Sequence, residues 1–392
     1  MKNLFLFSSL FFIACASNPK RDYTFIENPE TINVNPDKNL SGAEVKHDIA
    51  QAIYALNTAY SGKKFLPHGQ FDNLVKGISQ INAPMKAAEL CEKIDYHMHN
   101  VSDNHLSAKF NKNHCFKNSN RRAGSVGKNF YKEKNDIPWT VQLSKKNKKT
   151  ALLISITSFP SSTNPVWSGF IDLVKKELPK SNLVILDMRG NGGGDDSKGF
   201  ALASLLAGAE LKEPYAKQWN NPAPEAQQVF INSFDYWINL AKADGKEAPP
   251  YLVELKRKYV EKRDLSLKPI SATEIVTNDA NGSDFSLERS IKKPIYILID
   301  ADCASSCEST TDFFEYNTLV KTVGENTAGY VHFGNNGIVF LKNSGIGLQM
   351  ATSYNSYTDG RFIEKKGITP KIKVPAGKDA MDFAWYDFLK EN

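Results

Sequence analysis

Apolar positions recur along the chain with two different periods, and the change of period divides it into regions. From 42 to about 99 the spacing is helical: Ile49, Ile53, Leu56 and Tyr60, then Leu74, Ile78 and Ile81, and after Pro84 Leu90 and Ile94. This predicts a small helical domain over 42–105. From 107 to 157 the residues alternate as strands do, and the basic run Lys145-Lys146-Asn147-Lys148-Lys149 reads as an exposed hairpin turn between TVQL and ALLISI. An amphipathic helix follows over 166–178. The run Leu183-Val184-Ile185-Leu186 is continuously apolar and too short for a helix, so it predicts a strand buried on both faces; a helix through 200–206 comes next. Between about 209 and 290 Lys, Glu, Pro and Asn become dense around two helical runs, 225–241 and 251–263. That segment reads as an insertion into an α/β core, a place from which a lid or substrate-selecting cap could act. A second buried strand, 295–299, leads into a small-residue elbow, Cys303-Ala304-Ser305-Ser306, and then into Phe313, Phe314 and Leu319 at helical spacing. Strand pattern resumes at Val323, a hairpin is expected from 337–341 and 346–350, and a strand and a helix from Asp379 close the chain.

Composition narrows the class. With 392 residues, 41% hydrophobic and 23% charged, the chain can build one large or two medium cores. Its formal charge of +6 is spread through mixed runs with no recognised nucleic-acid module, so nucleic acid is not an expected partner. Met1-Lys2 followed by LFLFSSLFFIA has the basic head and apolar centre of a secretory signal over 1–16, which predicts export. Phe12-Ile13-Ala14-Cys15 can be read as a loose bacterial lipobox that leaves Cys15 lipidated, and Ala14-Cys15-Ala16 as a small-x-small site cut after Ala16. A cysteine in the cleavage region favours the lipoprotein. Membrane association would then run through Cys15, with 17–41 as a tether, placing the protein in the periplasm or outer membrane of a bacterial cell envelope. No other apolar run is long enough to span a bilayer. Cys91, Cys115, Cys303 and Cys307 could pair in an exported protein, with three connectivities open.

Chemistry concentrates at two junctions of strand and helix. Ser305 lies where backbone N–H groups are unpaired and a helix dipole favours negative charge, a suitable place for a nucleophile; its Ser-x-x-Glu spacing to Glu308 is equally that of a plain capping box. The run Asp187-Met188-Arg189-Gly190-Asn191-Gly192-Gly193-Gly194 follows a strand and precedes a helix, making a nest that can hold an anion. Asp195 stands where a dinucleotide-binding loop has its last glycine, so a developing oxyanion fits better than a pyrophosphate. His97, His99 and His105 crowd together, but Val101 occupies the position where a His-x-His-x-Asp hydrolase has its aspartate, so no metal is expected. No cofactor is expected either. A lone His105 is most often a polar surface residue.

Four segments in order, LVILDMRGNGGG, ADCASSCE, VGENTAG and RFIEKKGITPKI, together resemble the C-terminal processing (tail-specific) serine peptidase family, over roughly 149–374 less the insertion. The resemblance implies a Clp protease/crotonase-like α/β core of stacked ββα units over 106–392, with Ser305 as nucleophile and an oxyanion hole from the Gly192–Gly193 region and the Ser306 N–H. Members with a Ser/Lys dyad carry lysine where this chain has Tyr330, and a neutral phenol cannot easily serve as that base. The tricorn-like branch instead uses a histidine and a glutamate, which implies His105 as base and Glu364 as its partner, directly or through Asn104, with Glu308 and Thr327 supporting the elbow. The length between His105 and LVILDM leaves no room for a PDZ domain, so the implied substrates widen to peptides or unfolded proteins in general. A non-catalytic relative that binds a peptide or hydrophobic ligand in the same cleft is the alternative.

Overall fold

Runs predicted to be buried on both faces do become the inner strands of one sheet. The computed structural model describes residues 25–28, 32, 34–110, 113–116, 124–129, 137–160, 166–207, 215–243, 245, 247–248, 250–265, 275–276, 293–314, 319–357 and 359–391. The expected leader and Cys15 lie outside the described residues, as does most of the expected tether up to residue 33.

The front end contains β1 (Asn39–Leu40), α1 (Gly42–Thr58), α2 (Gly62–Phe65), α3 (Gln70–Ser79), β2 (Met85–Lys86) and α4 (Ala87–His99). Helix α1 starts on a reciprocal cap: the Ser41 N–H donates to Glu44 Oε2 at 2.8 Å and the Glu44 N–H to Ser41 Oγ at 3.3 Å. Next come β3 (Ser107–Phe110), β4 (Asn113–His114), β5 (Trp139–Lys146), β6 (Lys149–Ile156), α5 (Val166–Glu177), β7 (Leu183–Asp187) and α6 (Asp196–Ala207). The predicted basic turn is the β5–β6 hairpin, closed by Asn147 and Lys148, both with positive φ, as a two-residue hairpin loop requires. The inserted region supplies β8 (Tyr215–Asn220), α7 (Pro224–Ala243), α8 (Pro250–Leu265) and β9 (Ile275–Val276). The chain closes with β10 (Ile295–Ile299), α9 (Ser306–Phe313), β11 (Val320–Gly324), β12 (Phe333–Phe340), β13 (Gly347–Tyr357), β14 (Ile372–Lys373) and α10 (Ala380–Glu391). The helical spacing expected to reach Leu319 stops sooner: α9 ends at Phe313 and Leu319 directly precedes β11.

One sheet runs β14-β11-β10-β7-β6-β5, parallel except for the hairpin edge strand β5. Its strands alternate between two cores. Leu152, Ile154, Val184, Leu186, Ile295 and Ile297 pack on one face with Trp167 and Phe170 of α5 and Leu202 of α6. Leu153, Ile185, Tyr296 and Leu298 pack on the other with Trp385 and Phe388 of α10. A second, antiparallel sheet gathers β3, β4, β8, β9, β12 and β13. The inserted region therefore contributes a strand, β8, to this sheet. The helices of the front end share one core with it: Leu56, Leu90 and Ile94 join Val339, Leu348 and Met350.

Register places the chemistry. Leu298 pairs with Asp187 and Ile299 with Gly324, so β7, β10 and β11 end level with one another. The glycine loop, the serine elbow and the Gly-Glu-Asn-Thr-Ala-Gly loop thus emerge together at the carboxyl ends of parallel strands, where open α/β sheets bind ligands.

Candidate active site

Ser305 is the N-cap of α9 and holds φ 55° and ψ −119°, a conformation L-residues rarely adopt. Its neighbours enforce it. The Ala304 N–H donates to Asn191 O at 3.0 Å, tying the elbow to the glycine loop, and the Ala328 N–H donates to Cys303 O at 2.9 Å, tying it to the loop after β11. A disulfide joins Cys303 to Cys307 across the elbow, and a second joins Cys91 to Cys115. Glu308 is the main organiser. Its Oε2 accepts the N–H groups of Ser305 (3.1 Å) and Tyr330 (2.7 Å), and its Oε1 accepts the Thr327 hydroxyl (2.5 Å) and the Gly329 N–H (2.7 Å). Burial pushes the Glu308 carboxyl up, and those four donors pull it back toward the charged form. The Ser-x-x-Glu spacing therefore does more than cap a helix: it joins the elbow to the loop ending at Tyr330. Thr327 Oγ1 also accepts the Ile368 N–H at 2.6 Å. Beside it Gly367 has φ 73°, and a Cβ there would lie 2.0 Å from Thr327 O, so only glycine fits.

The glycine loop is held from below. Arg189 is buried; it pairs with Asp187, and its Nη1 reaches Val126 O and Asp379 Oδ1 at 2.8 and 2.7 Å, which anchors the loop to the start of α10. Gly193, at φ 104°, approaches so closely that a Cβ would lie 2.9 Å from Ser305 Cβ and 3.1 Å from Ser306 N. The Gly193 N–H itself donates to Asn191 Oδ1 at 2.8 Å, so that expected oxyanion donor is already engaged within its own loop. Ser306 occupies the first helical position, whose N–H has no intrahelical acceptor. Its hydroxyl donates to Gly194 O at 2.6 Å.

His105 comes from the segment joining α4 to β3, and its ring meets that of Tyr330 edge-on with centroids 5.0 Å apart. One ring nitrogen of His105 and one carboxylate oxygen from each of Asp103 and Glu364 lie within 4.8 Å of one another, the one such group of three among the described residues that could together take a cation. His97 and His99, at the end of α4, are not part of it. Burial holds the His105 imidazole down to about 4, against the pull of the Phe333 backbone, so it is neutral and free to accept a proton near neutral pH. Its Nδ1 is buried without a hydrogen-bond partner among the described residues. Glu364 is buried and accepts the N–H groups of Asn104 (2.9 Å) and His332 (3.0 Å). Asn104 therefore meets Glu364 through its backbone, while its side-chain Nδ2 donates to Gly329 O at 2.8 Å. No hydrogen bond links Ser305 Oγ to His105 among the described residues; Tyr330, bonded to Glu308 and packed on His105, spans the two halves.

The model of peptidase family S41 matches residues 150–374, more than half of the chain. The chain belongs to peptidase family S41. It is accordingly a serine-type peptidase, a hydrolase, on the α/β fold that the four ordered motifs imply. Among solved structures it is similar to a putative peptidase from Parabacteroides merdae (13% identity, 90% of this chain and 97% of that one, TM-score 0.52). It is also similar to a lipoprotein from Streptococcus agalactiae (16% identity, 92% and 100%, TM-score 0.45) and to mature CPAF complexed with lactacystin (18% identity, 69% and 56%, TM-score 0.44). No curated protein matches.

Two residues of this candidate site escaped the sequence reading. Asp103 sits beside His105 and Glu364, and only its Asp-Asn-His neighbourhood hinted at a role. His332 is buried, with Nδ1 2.8 Å from Asn355 O and Nε2 accepting the Ile363 N–H at 3.0 Å, so it fixes the residue next to Glu364. A single histidine between Val331 and Phe333 carries no periodic signal.

Proposed function

We propose that this S41 peptidase is an exported endopeptidase working through Ser305, His105 and Glu364. His105, neutral near pH 7, takes the proton of the Ser305 hydroxyl as Oγ attacks a peptide carbonyl carbon, and returns it to the leaving amine. Glu364 orients the imidazole and stabilises the imidazolium. The Ser306 N–H and the loop at Gly192 hold the oxyanion; Gly193 joins them once Asn191 releases its N–H. Substrates are peptides or unfolded proteins. The observation that carries this reading is Tyr330, which ties the nucleophile's elbow, through Glu308, to the face of the histidine segment. The signal-like leader with Cys15 supports a lipid-anchored protein of a bacterial cell envelope.

A fluorophosphonate probe applied to intact cells and to membrane fractions tests both parts. Labelling of the wild type, its loss in Ser305→Ala, and release from the membrane in Cys15→Ser are expected. Undiminished labelling of Ser305→Ala would overturn the nucleophile, and an unlabelled wild type the catalytic reading altogether.

A further inference from the structure

We propose that Asp103 is a further positioning residue of this site, and that it shares a single proton with Glu364 beside His105. The inference rests on the Ser-His-Glu reading above. It starts from hydrogen-bond accounting. Asp103 Oδ1 accepts the N–H groups of His105 (2.7 Å) and Leu106 (3.3 Å), which fixes the turn carrying the imidazole, and Oδ2 accepts the Tyr60 hydroxyl at 2.8 Å. Glu364 has two backbone donors, Asn104 and His332. Both carboxyls are almost wholly buried, 1% and 2% exposed, with oxygens within 4.8 Å of each other.

Two carboxylates so close and so poorly solvated cannot both be charged at modest cost, so the pair titrates as a unit. Other groups bear on it from every side. Lys365 favours the charged forms, while Glu308, from α9, opposes ionisation of Glu364; burial first, and then the charge of the pair, keeps the Tyr60 and Tyr354 phenols neutral. His105 and His332 are neutral neighbours. The charge balance favours a proton on Glu364, whose carboxyl is driven up by burial and then by Asp103; Asp103, with three donors, is raised less, to about 6. A protonated Glu364 cannot stabilise an imidazolium, so turnover rises as the pair loses its proton. Asp103 thus decides the pH at which the site becomes competent.

The test is the acidic limb of the kcat/KM profile on an unfolded protein substrate, measured after chelation with EDTA and again with added Zn²⁺. Asp103→Asn keeps the shape but removes the like charge, so Glu364 ionises more easily and the midpoint moves to lower pH by about one unit or more. Tyr60→Phe removes a donor to the Asp103 carboxylate, so the shared proton moves toward Asp103, Glu364 is charged more often, and the midpoint moves the same way by a smaller amount, with melting temperature checking that each variant folds. A lower midpoint in both variants, displaced further in Asp103→Asn, supports the proposal. An unmoved midpoint in both variants overturns it, and so does a midpoint that follows Zn²⁺ or EDTA, which would mean that a cation neutralises the pair. Fluorophosphonate labelling of the wild type separates failure of this inference from failure of the triad.

Discussion

The surroundings of His332 and of His105 differ in one respect that separates structure from chemistry. Burial holds both imidazoles down to about 4. Around His332 every valence is used: one ring nitrogen meets Asn355 O, the other accepts from Ile363, and the ring stacks on Phe362 with centroids 4.6 Å apart. Around His105 a buried nitrogen is left open and the nearest ring contact is Tyr330. A depressed pKa alone therefore does not mark a base. An imidazole with an unspent nitrogen, packed on the Tyr330 ring, fits the base we propose.

The contrast breaks most sharply if the two positions respond alike to alanine. His105→Ala should lower kcat by about 10⁴-fold or more, as removal of a triad member does, with little change in melting temperature; retention of activity would move the role of base elsewhere. His332→Ala should act first on stability. It empties a packed site and leaves Asn355 O and the Ile363 N–H without partners, a cost of about 3–5 kcal/mol by denaturant unfolding. That cost should depend on pH. The folded-state pKa of about 4 lies below the ordinary value of 6.5, so the unfolded chain binds more protons between those values. His332 therefore stabilises fully above about pH 6.5 and progressively less as pH falls toward 4, and the penalty of His332→Ala should shrink by about 2 kcal/mol between pH 7 and pH 5. A constant penalty would show that the ring titrates in the fold as it does in the unfolded chain. Smallest of all, Tyr330→Phe keeps the ring edge against His105 and should change kcat/KM by no more than about threefold. A collapse there would give the phenol a part in proton transfer.

How far the sequence could be read follows from the range of each interaction. Strands at 183–187 and 295–299, the helix starting after Ser305 and the turn at Asn147 announce themselves through residues a few positions apart. The meeting of Asp103 with Glu364 depends on separations of more than two hundred residues, and only the resemblance to a family linked His105 with Glu364. Pairing of β8 with β13 was hidden for the same reason: the polar composition of the inserted region suggested an appendage. The cysteines left three pairings open because spacing alone cannot report geometry. Ser305 was legible as a position, but its left-handed backbone was not, since it is imposed by ties to Asn191, Ala328 and Glu308 rather than by local preference.

The cystine bridging Cys303 and Cys307 bears on how the protein is prepared. Material made in the reducing cytosol of an expression host would carry two free thiols flanking the serine, and an elbow one covalent tie short. A sluggish recombinant batch would then report on its redox history before it reported on the enzyme, and titrating thiols belongs ahead of any assay.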